Sequence, residues 1–182
     1  MNNRELFDEY AKEILDNKIF NECKKIFSHG AISIYDHSIA VAELSFSLCE
    51  KSRRIDKRTL VRSALLHDFF LYEWHIPGMR YVLHGWVHPA VAAKKAHEMF
   101  GLSGKEYSCI RTHMWPWTLL HPPLCREGWV ISLADKIIAI RETLLCRGKR
   151  NGLKDPKMDM HCKNNSVNHA VNHSVSHSMG AK

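Results

Sequence analysis

Apolar residues recur along this chain at intervals of three and four, the spacing of one face of an α-helix, and strict polar–apolar alternation never lasts more than a few residues. Leu6, Phe7, Tyr10 and Ile14 predict a first helix, which Asn3 can cap. Ile19, Phe20, Cys23, Ile26 and Phe27 predict a second, stopping at Ser28-His29-Gly30 on a C-terminal glycine. Ser33 to Glu50 predicts a third, with His37, Val41, Leu44 and Leu48 along its apolar stripe. After a polar connection, Asp56 or Thr59 can cap a fourth helix carrying Leu60, Ala64, His67 and Leu71 on one stripe and Val61, Leu65 and Asp68 on the next. Pro77-Gly78 breaks the pattern, and Met79 to Val87 reads as a link. His88-Pro89 predicts the start of a fifth helix, proline at its first position, running to Gly101. Ser103 opens a sixth, with Tyr107, Ile110 and Met114 as its stripe, His113 beside it and Trp115-Pro116 as its end. Pro116 to Gly128 reads as a loop, and Trp129, Val130, Ile131, Leu133, Ala134, Ile137, Ile138 and Ile140 predict a last, strongly apolar helix with Asp135 on the stripe of Ile131 and Ile138. The expectation is an all-α helical bundle.

From about Arg147 the composition shifts to Gly, Lys, Asn, Ser and His, which divides the chain into a helical domain over 1–147 and a low-complexity tail over 148–182, expected to be disordered. His169, His173 and His177 fall four apart and on a helix would share a face able to hold a metal, but the Asn, Ser and Val around them are poor helix formers. At 182 residues, 45% hydrophobic and 25% charged, the chain fits one soluble domain with a sizeable core. No apolar run approaches the ~20 residues of a membrane span, and the polar start does not read as a signal peptide. The six cysteines stand singly, which argues against a disulfide framework and against a thiolate zinc site. A reduced, cytoplasmic protein is expected. The net charge of +7 points to anionic partners, a small phosphorylated molecule first. Nucleic acid is not expected, since no continuous basic–aromatic motif is present, and a homo-oligomer is compatible with the sequence.

The chemistry lies in polar residues on apolar stripes. His67-Asp68 follows Leu65-Leu66 and precedes Phe69-Phe70. A carboxylate in such a setting needs a cation, a metal or several donors, because desolvating it alone costs several kcal/mol or more. His37, His88, His113 and Asp135 stand in matching settings on other helices. Imidazole with carboxylate suits one or two divalent transition metal ions (Fe, Mn, Co, Ni or Zn) without a thiolate. His37, His67, Asp68 and Asp135 would make one site, and adding His88 and His113 provides for a second ion with Asp68 between the two. His84 competes with His88 for the ligand role; Pro89 favours His88.

This order of residues resembles the HD-domain superfamily of metal-dependent phosphohydrolases: a His, then His-Asp thirty residues on, then a distant Asp in Ser132-Leu133-Ala134-Asp135-Lys136. His88-Pro89 and Ile110-Arg111-Thr112-His113 resemble the binuclear branch, which adds two histidines between the pair and the last Asp. The histidine pattern is similar to bacterial HD hydrolases of dinucleoside polyphosphates. The stretches at 67–75 and 113–116 look like those of a group of small bacterial HD proteins. The resemblance covers roughly 30–145. It implies a helical HD fold and hydrolysis of a phosphoester or phosphoanhydride bond, in a nucleotide or another small phosphorylated molecule, by a metal-activated water. Asp68 and Lys136 are then the candidate catalytic residues, and Arg80, His84 and Arg111 the candidate anion binders. Trp74, Trp86, Trp115 and Trp117 could wall the pocket. A di-iron oxygenase of the same fold, or a regulatory module with a non-catalytic metal, would use the same ligands.

Overall fold

The structure is a computed structural model that describes residues 2–29, 32–69 and 81–152. Among them are seven α-helices: α1 (Asn3–Leu15), α2 (Lys18–Glu22), α3 (Ile34–Leu48), α4 (Lys57–Leu66), α5 (Tyr81–Phe100), α6 (Gly104–Thr112) and α7 (Arg126–Gly152). A 3₁₀ turn (Cys23–Lys25) and a short antiparallel ribbon, β1 (Phe27–His29) with β2 (Ile32–Ser33), complete the described elements. The described residues are all-α apart from that ribbon. No described helix is long and apolar enough to cross a membrane. Met1–Leu144 forms one compact unit and Leu145–Lys182 clusters separately. The tail beyond Gly152 lies outside the described residues, as does Gly30.

Side-chain caps set most of the helix starts. Asn2, not Asn3, caps α1: its side chain accepts from the Glu5 N–H at 2.8 Å, and Glu5 accepts from the Asn2 N–H at 2.9 Å. This reciprocal box needs an acid three residues after the cap, and Asn3 has Leu6 there. Ser103 and Glu106 build the same box at α6. Ser33 caps α3 and Asp56 caps α4. At the end of α5, Gly101 takes φ +59°, which glycine adopts without steric cost, and its N–H bonds back to the His97 carbonyl at 3.0 Å.

Three predicted elements differ from the observed ones. The second helix stops at Glu22, because Ile26 is extended and its carbonyl is taken by the Ile34 N–H at 2.8 Å, joining the segment to the ribbon. Short apolar runs fit either period, and here the pairing partner decides. The fourth helix ends at Leu66 instead of continuing toward Leu71. The fifth begins at Tyr81 within the expected link and runs through Pro89. An interior proline forfeits a hydrogen bond at a cost of about 3 kcal/mol; beyond it the helix is anchored in the core by buried Ala92 and Ala93 one turn on and Ala96 two turns on. Smaller differences follow the same logic: α6 ends at Thr112, before Trp115-Pro116, and Leu48 is exposed.

α4 is the centre of the unit. Every residue from Thr59 to Leu66 is buried, and the helix packs against α1, α3, α5 and α6. Leu60, Leu65 and Leu66 join Ile14, Phe20, Ile34, Val41, Phe69, Ile110 and Ile131 in one continuous core. A helix so enclosed ends inside the protein, and that places His67 and Asp68.

Candidate metal centre

His67 and His113 are held by the same local device. Each is the C-cap residue of its helix, α4 and α6. In each, ring Nδ1–H donates to the carbonyl three residues back, Ala64 or Ile110, at 2.7 Å. That bond commits the proton to Nδ1 and leaves Nε2 as the outward donor atom. Because α4 stops at Leu66, Asp68 lies in a turn and is freed from the divergence of adjacent helix positions. Its Oδ2 stands 3.7 Å from His67 Nε2, while Oδ1 stands 3.4 Å from His88 Nε2 and 3.5 Å from His113 Nε2.

The remaining contributors come from α3, α5 and α7. His37, in the first turn of α3, sets Nε2 3.3 Å from Asp135 Oδ1 and Nδ1 2.9 Å from Glu142 Oε2. Asp135 Oδ1 is also 3.8 Å from His67 Nε2. Within α5, His88 brings its Nε2 to 3.1 Å from His113 Nε2. His67 and His37 rings lie 5.3 Å apart, His67 and His113 rings 5.0 Å. Six predicted residues, His37, His67, Asp68, His88, His113 and Asp135, thus share one buried neighbourhood.

Lys136 lies beside them, but its Nζ donates to the His113 carbonyl at 2.8 Å and to Asp135 Oδ2 at 3.2 Å. It ties His113, at the end of α6, to Asp135 on α7. Arg111 is exposed on α6. Arg80 and Trp74 lie outside the described residues, as do the side chains of His84 and Trp86 on α5. Trp115 packs edge-on against Trp129, with ring centres 4.6 Å apart, and Trp117 is exposed.

Electrostatics separate His37, His67 and His113. Burial, then the charge of nearby His67, pushes His113 down to about 3, so its ring is neutral. Its Nδ1–H being committed, His113 Nε2 can only accept, and His88 Nε2–H donates to it. Burial opposes charge on His37, but hydrogen bonds to Asp135 and Glu142 outweigh it and raise the ring to about 10. His67 is likewise raised: burial opposes, while Asp68 and Asp135 prevail. Both aspartates go down despite burial, Asp68 through His67, His88 and His113, Asp135 through His37 and His67.

The His37 shift has a measurable consequence. With its folded value raised above 6.5, the protonated ring stabilises the metal-free protein fully below about pH 6.5, and that contribution fades as pH rises through about 10. Coordination requires neutral imidazole. With His37 and His67 both raised, uptake of a divalent ion near pH 7 is therefore expected to expel at least one proton, and affinity to rise with pH by about tenfold per unit for each proton expelled. Calorimetry in buffers of different ionisation enthalpy reads the proton; uptake with no proton released would contradict this assignment of charge.

The donor set fits a transition metal ion. His67 Nε2 and Asp68 Oδ1 are buried and make no hydrogen bond among the described residues, although an unpaired buried polar group costs about 1–3 kcal/mol and a charged one more. Three overlapping groups, His37–His67–Asp68, His67–His113–Asp135 and Asp68–His88–His113, each bring ligand atoms within 4.8 Å of one another. Nitrogen and carboxylate donors without thiolate suit Mn, Fe, Co, Ni or Zn.

One residue escaped the sequence reading. Glu142 is 6% exposed and orients His37 from the far side of its ring. The available signal was its spacing, seven residues after Asp135 and hence two turns along the same face of α7. Carboxylates behind a ligand histidine fix its orientation and raise its basicity. Glu142→Gln is expected to weaken metal affinity by about 10–100-fold with the fold intact, as competition against a chelating dye would show. An unchanged affinity would reduce Glu142 to a packing residue.

A family model described as the HD domain matches residues 34–140. That span holds the six clustered residues; Glu142 lies just past its end. No curated protein matches the chain. Among solved structures, the crystal structure of a predicted HD superfamily hydrolase from an uncultured Thermotogales bacterium is similar, with a TM-score of 0.55 and 20% identity, covering 97% of this chain and 99% of that one. At that identity the likeness is one of fold.

Proposed function

This chain belongs to the HD-domain family, and from that premise we propose that it is a metal-dependent phosphohydrolase cleaving a phosphoester or phosphoanhydride bond in a nucleotide or another small phosphorylated molecule. The observation that carries the reading is the gathering of four imidazoles and two carboxylates into three overlapping buried groups, with His67 Nε2 and Asp68 Oδ1 lacking hydrogen-bond partners among the described residues. His37, His67, Asp68 and Asp135 would hold one ion, and Asp68, His88 and His113 a second. Such an ion supplies Lewis acidity, activating water and neutralising charge that builds on phosphoryl oxygens.

The protein's own groups prepare that chemistry. The Ala64 and Ile110 carbonyls hold the Nδ1–H of His67 and His113 and so turn each Nε2 toward the centre. Asp68 faces His67 with one oxygen and the His88–His113 pair with the other, which suits it to stand between two cations. Lys136 keeps Asp135 and the His113 backbone in register. Arg111, Arg80 and His84 are the candidates to meet the substrate's phosphate, and the net charge of +7 favours anion approach. The structurally similar Thermotogales protein is itself a predicted HD superfamily hydrolase, in keeping with this reading.

The deciding experiment is metal analysis of untagged protein followed by a panel of nucleotides and phosphoesters with each candidate metal. Hydrolysis dependent on added metal is expected. No turnover across the panel at full metal loading would overturn the proposal, and oxygen consumption by the reduced protein with iron alone would assign the same ligands to an oxygenase.

A further inference from the structure

We propose that Cys109 and Cys125 form a reversible oxidation site for hydroperoxides, in which Cys125 is oxidised and Cys109 closes it into an intramolecular disulfide. The cysteines stand singly in the sequence, sixteen residues apart, yet folding brings their sulfurs to 3.3 Å. No other element of the proposed chemistry uses them.

Their environments differ in the way such a pair requires. Cys109 is fully buried on α6. Cys125 is half-buried and immediately precedes Arg126, the first residue of α7, where the helix presents unpaired N–H groups and its positive end. The Cys109 thiol bonding to its sulfur, and then the Gly128 N–H, lower the Cys125 thiol to about 7 against burial and Glu127. Glu127 is itself paired with Lys105 at 2.9 Å, which blunts its opposition. Cys109 is shifted the other way, by its bond to Cys125 and by burial, with Glu127 adding and Lys105 opposing. One sulfur is therefore the thiolate that meets the oxidant, and the other keeps its proton until needed. Gly128 lets the backbone pass close to Cys125: a Cβ there would lie 3.7 Å from the Cys125 sulfur and only 3.0 Å from Pro123 Cβ.

The chemistry balances in two steps. The Cys125 thiolate attacks one oxygen of the peroxide; an S–O bond forms, the O–O bond breaks, and the departing oxyanion takes a proton to leave as water or alcohol. The sulfur is oxidised by two electrons to sulfenic acid and the peroxide is reduced. The Cys109 sulfur then displaces the hydroxyl group: the S–S bond forms, the S–O bond breaks, and the Cys109 proton leaves with hydroxide as water. Closing the bond draws the sulfurs from 3.3 Å to about 2.05 Å. The bridge would join α6, four residues before His113, to the start of α7, ten residues before Asp135.

The test is hydrogen peroxide added to the full-length reduced protein, with non-reducing peptide mapping. Expected are the loss of two thiols per chain, a linked Cys109–Cys125 peptide and its recovery by dithiothreitol. Cys109→Ser is expected to stop at a Cys125 sulfenic acid that dimedone captures, and Cys125→Ser to slow thiol loss at least about tenfold. The wild-type rate should climb as pH rises through about 7 and level off by about 8.5, instead of still climbing there as an ordinary thiol would. Circular dichroism establishes that each variant is folded. Absence of the linked peptide, or a Cys125→Ser variant losing thiols as fast as wild type, overturns the proposal.

Discussion

Asp68→Ala is expected to leave the protein without stoichiometric divalent metal and without metal-dependent hydrolysis. The carboxylate stands between His67 on one side and the His88–His113 pair on the other, so its removal takes a donor from two of the three ligand groups at once. Disturbing a residue behind a ligand costs about 10–100-fold in metal affinity; losing this ligand should cost at least about 100-fold. The helices should remain, because α4 ends before Asp68 and the buried apolar face from Leu60 to Leu66 is unaltered. Metal content per chain, compared between full-length wild type and variant, cancels whatever the histidines beyond Gly152 bind. A folded variant that kept both its metal and its phosphatase activity would remove the basis of the proposed function.

The second large effect concerns stability. Arg62 is 5% exposed in the middle of α4; its Nε donates to Glu106 Oε1 at 2.8 Å and Nη2 to the Phe100 carbonyl at 3.1 Å, and Nη1 pairs with Glu13. Arg62→Met keeps the apolar stem but leaves the buried Glu106 carboxylate without its cation. Removing one partner of a buried pair costs about 3–5 kcal/mol, which for a protein of this size lowers Tm by roughly 6–20 °C. Glu13 contributes little to that figure, since it is largely exposed. Adding Glu106→Gln removes the stranded charge while keeping an acceptor for the Ser103 N–H. The double variant should therefore recover at least about 1 kcal/mol over the sum of the single losses. Additive losses in urea unfolding would show that the charges do not compensate each other.

Much of this architecture is legible along the chain, because helices are written locally. A period of three to four apolar residues and an oxygen-bearing side chain at the start suffice to place α3 and α6, with Ser33 and Ser103 as caps. The same pattern singled out His37, His67, Asp68, His88, His113 and Asp135, since a polar group on an apolar stripe must be accommodated inside. Where reading failed, a distant partner had overridden local preference. Ile26 and Phe27 fit a helical stripe until Ile34 claims the Ile26 carbonyl, and Pro89 reads as a helix start until packing carries α5 through it. Glu142 looks like any surface acid on a long helix until α3 brings the His37 ring against it.

Linear order alone therefore placed most of the helices and the polar groups on their apolar stripes, since periodicity depends on near neighbours. What required the assembled chain was their meeting: the His88 and His113 rings brought together from α5 and α6, His37 set against Asp135 and Glu142 of α7, and Cys109 brought to Cys125. Those distances depend on how helices pack side by side, and no interval along the sequence encodes them.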